Sequence, residues 1–168
     1  DTAVQGALKL VAESARAKSL SIDVDVSDDL TLLADGRALH QILLNLIQNA
    51  VKFTPGGDGR IIVKARPAGD RVHIFIEDNG IGIPKAALRR LGSPFQQVET
   101  NLTRTHKGSG LGLAIARSMA ELHGGSLRIR SEEGLGTIIL VCMPMPTAER
   151  RRDLAAPGSE ETVDSLRE

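Results

Sequence analysis

Tryptophan and tyrosine are absent from these 168 residues, and phenylalanine occurs three times. The core must therefore be aliphatic, filled by Leu, Ile, Val, Ala and Met rather than by rings. With one cysteine, Cys142, a disulfide framework is excluded. Its place in the apolar run TIILVCMP reads as a core position. Net charge is missing too: 21 basic residues balance 21 acidic ones, leaving no global field to draw in nucleic acid or an anionic membrane. No apolar stretch approaches the ~20 residues of a membrane span, and no signal-peptide pattern opens the chain. These absences predict a soluble, reduced, single domain that binds no nucleic acid and inserts into no membrane.

What is present is strong local periodicity. Val4, Ala7, Leu8, Val11, Ala12 and Ala15 recur at helical spacing above a charged face. SIDVDV at 21–26 alternates as a half-buried strand does. DDLTLLAD extends as a short second strand to Asp35, which caps a helix running to about Phe53 and stopped by the breakers TPGGDG. RIIVKARP (60–67) and RVHIFIED (71–78) are two strands joined by a tight turn. NGIGIPKAALRRLGSPF is glycine-rich and ends in a short helical stretch, and 96–107 is a long polar loop. GSGLGLAIARSMAELHGG is a helix that starts through glycines and stops at Gly124 and Gly125. SLRIRSEEGLGTIILVCMP is another strand pair. Elements in this order predict an α+β two-layer sandwich, one face of the sheet buried under three helices. The domain is expected over 1–146, with 147–168 a disordered polar tail or linker.

Four polar clusters interrupt this pattern. In LHQILLNLIQNAVKFTPGG (39–57), Gln41, Asn45, Gln48, Asn49 and Lys52 recur at offsets of four, seven, eight and eleven, along one side of a helix. Carboxamide oxygens are hard, neutral ligands suited to Mg2+, and Lys52 one turn beyond Asn49 suits phosphate. The same amides would equally cap backbone or face water. In EDNGIGI (77–83), Asp78 ends a strand and Gly80 and Gly82 follow. That is either a carboxylate on a pocket floor, able to accept from an exocyclic amine where glycines admit a flat ligand, or a plain Asp-Asn-Gly turn. In HKGSGLGLAIARSMAELHGG (106–125), Gly108, Gly110 and Gly112 open a helix and leave N–H groups for an anion. Their spacing after a polar loop fits neither a dinucleotide fingerprint nor a Walker A motif, since Lys107 precedes the glycines. EEGLGT (132–137) by itself is a hairpin turn.

Together, in this order and separation, the four clusters resemble the ATP-binding catalytic domain of bacterial two-component histidine kinases. That domain shares a superfamily with DNA gyrase B, the Hsp90 chaperone and the MutL repair protein. HQILLNLIQNAVKFT looks like the family's N box, DNGIGI its first glycine box, SPFQQ its phenylalanine box, GSGLGL its second glycine box and GLGT its third. The resemblance covers about residues 3–146, and PFQQVETNLTRTHKGSGLGLAIARSMAELHGG is especially similar to alphaproteobacterial cell-cycle sensor kinases. It implies the Bergerat-type sandwich, a mixed and mostly antiparallel sheet, with 84–107 as a mobile ATP lid. It also implies a cytoplasmic domain that binds ATP and Mg2+.

Carried over residue by residue, the resemblance makes Asn49 the Mg2+ ligand, puts Asn45 beside the phosphates and gives Lys52 a phosphate contact. Asp78 accepts the adenine amino group, and Gly80, Gly82 and Ile83 shape the adenine floor. Gly108, Ser109, Gly110, Leu111 and Gly112 cradle phosphates at the helix start, and Thr137 of the third glycine box lines the nucleotide. Phe95 anchors the lid, while Arg104, His106 and Lys107 are its candidates for the γ-phosphate. Ser109 stands where many members have Thr. Asn45 matches a water-activating Glu of the chaperone and topoisomerase relatives, and an amide takes no proton at neutral pH, which favours a kinase over an ATPase. The long PFQQ lid disfavours an anti-sigma-factor serine kinase, and the intact Asn49, Asp78 and glycine boxes disfavour a degenerate docking module. None of His40, His73, His106 and His123 lies in an HELRTP-like helix. The implied partners are therefore a histidine-bearing dimerisation domain, expected before Asp1 in a parent protein, and a response regulator receiver domain.

Overall fold

The helical period of the first seventeen residues forms α1 (Thr2–Ala17), which buries Val4, Ala7, Val11 and Ala15. The computed structural model describes residues 2–27, 30, 32, 34–88 and 111–146. After α1 come β1 (Ser21–Val26), α2 (Gly36–Phe53), β2 (Arg60–Ala68), β3 (Arg71–Asp78), the one-turn α3 (Lys85–Leu88), α4 (Leu111–Leu122), β4 (Ser126–Glu132) and β5 (Gly136–Pro144). The expected tail from 147, and all of the expected lid beyond Leu88, lie outside the described residues.

The five strands form one mixed sheet in the order β1-β2-β3-β5-β4. β1 runs parallel to β2, and the remaining pairs are antiparallel. Strand alternation sends Ile61, Val63, Val72, Ile74, Ile76 and Val141 to one face, where helices cover them. α2 is the middle helix, packed on α1 along one flank and on α4 along the other. At the first contact, a Cβ on Gly6 would stand 2.9 Å from His40 Cε1, so the two helices approach closely there. The expected α+β sandwich, with α1, α2 and α4 on one face of a mostly antiparallel sheet, is the architecture observed.

Two local expectations change. Among the described residues, Leu30, Leu32 and Ala34 belong to no strand. Their side chains instead pack against the core from a loop, which accounts for an apolar alternation without a ladder. Cys142 is half-buried and not a core residue. The register places it opposite His73 on the uncovered face, with its neighbours Val141 and Met143 pointing inward. One residue of parity separates the two environments.

Candidate functional site

Helix α2 begins at Asp35, whose Oδ1 accepts from Arg37 N at 2.7 Å and from Ala38 N at 3.0 Å. These backbone bonds, Ala38's first, hold the carboxyl below the usual carboxylate range. Ile42, Leu43, Leu46, Ile47, Ala50 and Val51 form the buried apolar stripe. The amide stripe divides by depth: Asn45 is buried at 9% exposure, Gln41, Asn49 and Lys52 are half-buried, and Gln48 is exposed. Gln41 Nε2 donates to Asn45 Oδ1 at 2.9 Å. Asn45 Nδ2 is buried with no hydrogen-bond partner among the described residues. The Lys52 ammonium lies 4.9 Å from the Phe53 ring centroid.

The far end of α2 is held by a residue with no sequence signal. Lys18 Nζ donates to the carbonyls of Val51, Lys52 and Thr54 at 2.8, 2.8 and 3.1 Å. A cation on the last carbonyls satisfies orphan acceptors and complements the negative end of the helix dipole. Asn49 and Lys52 are thus carried by a turn that is tied down from α1.

Asp78 ends β3 on the inward parity of Ile74 and Ile76, at the edge of the helix-covered face. Burial pushes its carboxyl above the usual range, opposed by backbone N–H donation from Gly80 and Thr137. The Gly80 N–H···Oδ1 distance is 2.9 Å. The following loop docks on the end of α2, where Ile81 N donates to Phe53 O at 3.2 Å. Gly82 has φ +66°, and a Cβ there would stand 1.9 Å from Glu132 O. Gly136 has φ +113°, with Asp78 O 2.0 Å from the corresponding point. Only glycine fits such approaches, and the approaching group is the protein's own backbone. Gly134 N donates to Ile81 O at 2.8 Å. Ile83 N donates to Ser131 Oγ at 2.8 Å, and that hydroxyl lies 2.9 Å from Thr137 Oγ1. Two clusters fifty residues apart in sequence therefore interlock around Asp78. Ser131 is a further site neighbour that no motif flagged, and Asn79, inside the first glycine box but given no role there, latches β2 by accepting from Arg60 N at 2.6 Å.

α4 starts directly over α2: a Cβ on Gly112 would stand 3.7 Å from Asn45 Cγ. Leu111 lies in the same first turn, half-buried. The structure thus brings Asn45, Asn49, Lys52, Asp78, Gly80, Gly82, Ile83, Thr137, Leu111 and Gly112 to α2, its C-terminal end and the α4 start. Phe95, Arg104, His106, Lys107, Gly108, Ser109 and Gly110 lie outside the described residues. The described histidines stand elsewhere: His40 against α1, His73 on the open sheet face, and His123 with Nδ1 2.8 Å from Met119 O. A depression of about 460 Å³ over Ile62, Glu77, Arg130 and Ile138 opens on the other face of the sheet and reaches the site at Asp78, Asn79, Ser131, Gly136 and Thr137.

The arrangement offers a half-buried carboxylate acceptor, amide and ammonium groups on one helix, and the N-terminal turn of another. No group of three His, Cys, Asp or Glu side chains is assembled for a metal among the described residues. A divalent ion here would rest on a neutral amide oxygen, a donor set that fits Mg2+, which keeps several waters and shares phosphate oxygens.

Residues 34–147 match the family described as histidine kinase-, DNA gyrase B- and HSP90-like ATPase. The chain is 39% identical over 158 residues to the non-motile and phage-resistance protein of Caulobacter vibrioides, covering 90% of this chain and 19% of that one. It is 40% identical over 144 residues to histidine protein kinase DivJ of the same organism, covering 85% and 24%. It thus spans under a quarter of the length of these two relatives. Among solved structures it is similar to the mycobacterial sensor histidine kinase MprB, with TM-score 0.72, 28% identity, and 86% of this chain and 93% of that one covered. It is also similar to full-length ShkA in complex with AMPPNP, with TM-score 0.74, 33% identity, and 88% and 30% covered.

Proposed function

The chain belongs to the histidine kinase-, DNA gyrase B- and HSP90-like ATPase family, and on that premise we propose that it is the catalytic domain of a sensor histidine kinase. It binds ATP with Mg2+ and passes the γ-phosphate to a histidine on a separate dimerisation domain, from which a response regulator receiver takes it. The observation that carries this reading is the convergence on α2 of a half-buried carboxylate, Asp78, and a buried donor with no partner among the described residues, Asn45 Nδ2.

Each group has a physical task. Ionised Asp78 accepts from the adenine amino group, and the N–H groups of Gly80 and Thr137 keep its oxygens aimed. Asn49 would hold Mg2+ through its side-chain oxygen, and the ion bound there would supply charge neutralisation on the phosphates. Lys52 adds a point charge, and the N-terminal end of α4 adds its dipole. Asn45 donates to phosphate. Being an amide, it takes no proton from water, so hydrolysis is slow and the nucleophile is an imidazole nitrogen from elsewhere. As that nitrogen bonds to the γ-phosphorus, the bond to the β-phosphate oxygen breaks. Such a step rests on positioning and charge stabilisation. The lid candidates Arg104, His106 and Lys107 serve the same γ-phosphate in this scheme.

The test is calorimetric titration of ATP into the protein, with Mg2+ and again with EDTA. Saturable one-to-one binding strengthened by Mg2+, followed by phosphorylation of an acceptor domain added in trans, is the expected result. A folded sample that binds no ATP would leave a docking module instead.

A further inference from the structure

Asp78, Thr137 and Ser131 stand side by side on three neighbouring strands, as Cα partners in the β3–β5 and β5–β4 registers. Partners in register point to the same face, here the one the helices cover. The Asp78 carboxylate accepts from the backbone N–H groups of Gly80 and Thr137, and from no side chain among the described residues. A carboxylate already on the N–H of a threonine is a χ1 rotation away from that residue's hydroxyl, and an ionised oxygen is a strong acceptor. Thr137 nevertheless turns the other way: its Oγ1 lies 2.9 Å from Ser131 Oγ. Thr137 is 8% exposed, so water offers its hydroxyl little alternative.

Two backbone groups fix Ser131 in place. Its Oγ accepts from Ile83 N at 2.8 Å and donates to Gly136 O at 2.8 Å. A hydroxyl has one proton and two lone pairs. With the Ser131 proton committed to Gly136 O, Thr137 is the donor in the remaining contact. This assignment makes all three contacts hydrogen bonds, and it holds the Thr137 proton away from Asp78.

We propose that Ser131 is a positioning residue that keeps the Thr137 hydroxyl off the Asp78 carboxylate, leaving those oxygens open to the amino group of an aminopurine nucleotide. The inference rests on the nucleotide-binding reading and deepens it. Ser131 acts through Thr137, and Thr137 through Asp78. An O–H donated to Asp78 would occupy a lone pair and draw off charge, which weakens the same oxygens toward the amino group.

The experiment is calorimetric titration, with Mg2+, of ATP and of purine riboside triphosphate, which lacks the amino group. Four proteins are compared: wild type, Ser131→Ala, Thr137→Val and the double variant. Ser131→Ala should cut the preference for ATP over purine riboside triphosphate about two- to tenfold, at most the worth of one neutral hydrogen bond. A structural role alone, loosening the loop at Ile83, would weaken both nucleotides alike and leave that preference where it was. In the Thr137→Val background Ser131→Ala should not change the preference, because a residue acting through another has no effect once that other is gone. An unchanged preference in Ser131→Ala, or a loss of preference that persists beside Thr137→Val, would overturn the proposal. A folded wild type that binds no ATP, or that binds the two triphosphates equally, is a different failure: it overturns the reading of Asp78 as the adenine acceptor, and this inference with it.

Discussion

The two faces of the sheet are built from the same strands and hold polar groups on opposite terms. On the covered face, Ile61, Val63, Val72, Ile74, Ile76 and Val141 are each at most 3% exposed. The polar side chains at its margin pair with backbone: the Asp78 carboxylate with the N–H groups of Gly80 and Thr137, and the Lys18 ammonium with the carbonyls at the end of α2. On the open face, charges pair with each other. Arg60 meets Asp23 at 2.7 Å, Lys64 meets Glu77 at 3.3 Å, and Arg66 pairs with Asp25. The Arg66 hydrogen bond holds the Asp25 carboxyl below its ordinary range. His73 and Phe75 pack edge to face there, with ring centroids 6.2 Å apart. A polar group on the covered side is therefore fixed in one geometry by groups that cannot move away, and such fixity is what a binding site requires. The partly exposed ion pairs on the open side are screened by solvent and contribute little to stability.

The comparison breaks most plainly if adjacent residues of one strand respond alike to truncation. Ile76→Ala should lower the unfolding free energy by about 2–5 kcal/mol in urea titration. Glu77→Ala, on the opposite face, should cost under about 1 kcal/mol. Equal losses would mean that the helices do not seal one face.

Lys18→Met should cost about 1.5–3 kcal/mol, the range for hydrogen bonds to a charged group, and should also weaken ATP binding, since Asn49 and Lys52 ride on the turn it secures. A stability loss with ATP affinity unchanged would make Lys18 a structural cap alone.

Asp78→Ala should cost about 1.5–3 kcal/mol in ATP binding, roughly ten- to more than a hundredfold in Kd, with the fold retained. Its raised pKa has a further consequence with a definite sign. Below the ordinary carboxylate pKa of about 3.9 the group is protonated in folded and unfolded chains alike. As pH rises through the elevated folded value, the unfolded chain ionises more readily and the native state loses stability. Asp78→Asn should therefore be more stable than wild type at neutral pH, with the gain vanishing in acid. A gain that persists unchanged in acid would remove burial of the charge as its cause. The smallest effect belongs to the Asp23–Arg60 pair, where a double-mutant cycle should return about 0.2–1 kcal/mol, falling as salt is added.

Much of this was legible because it is local. Asp35 capping α2, the breakers after Phe53 and the parity that turns Asp78 toward the same face as Ile76 each depend on a few neighbouring residues. Depth along α2 was not legible. Gln41, Asn45, Gln48 and Asn49 are alike as amides, and only the packing of α4 over Asn45 separates the buried one from the exposed Gln48. Cys142 misled for the same reason, since an apolar run of period one does not say which residues face outward.

By itself the sequence determined the order of the elements (the strand expected over DDLTLLAD apart), the four polar clusters and the family, because helix and strand periods, caps and turn residues act within a few positions of the chain. Tertiary structure alone decided the parallel pairing of β1 with β2, the reach of Lys18 to carbonyls at 51, 52 and 54, and the interlock of Gly82 with Glu132 and of Gly136 with Asp78. These contacts join residues 33 to 58 positions apart, too far for any local preference to specify. They form because burying the aliphatic face leaves each backbone and charged group one place to be satisfied.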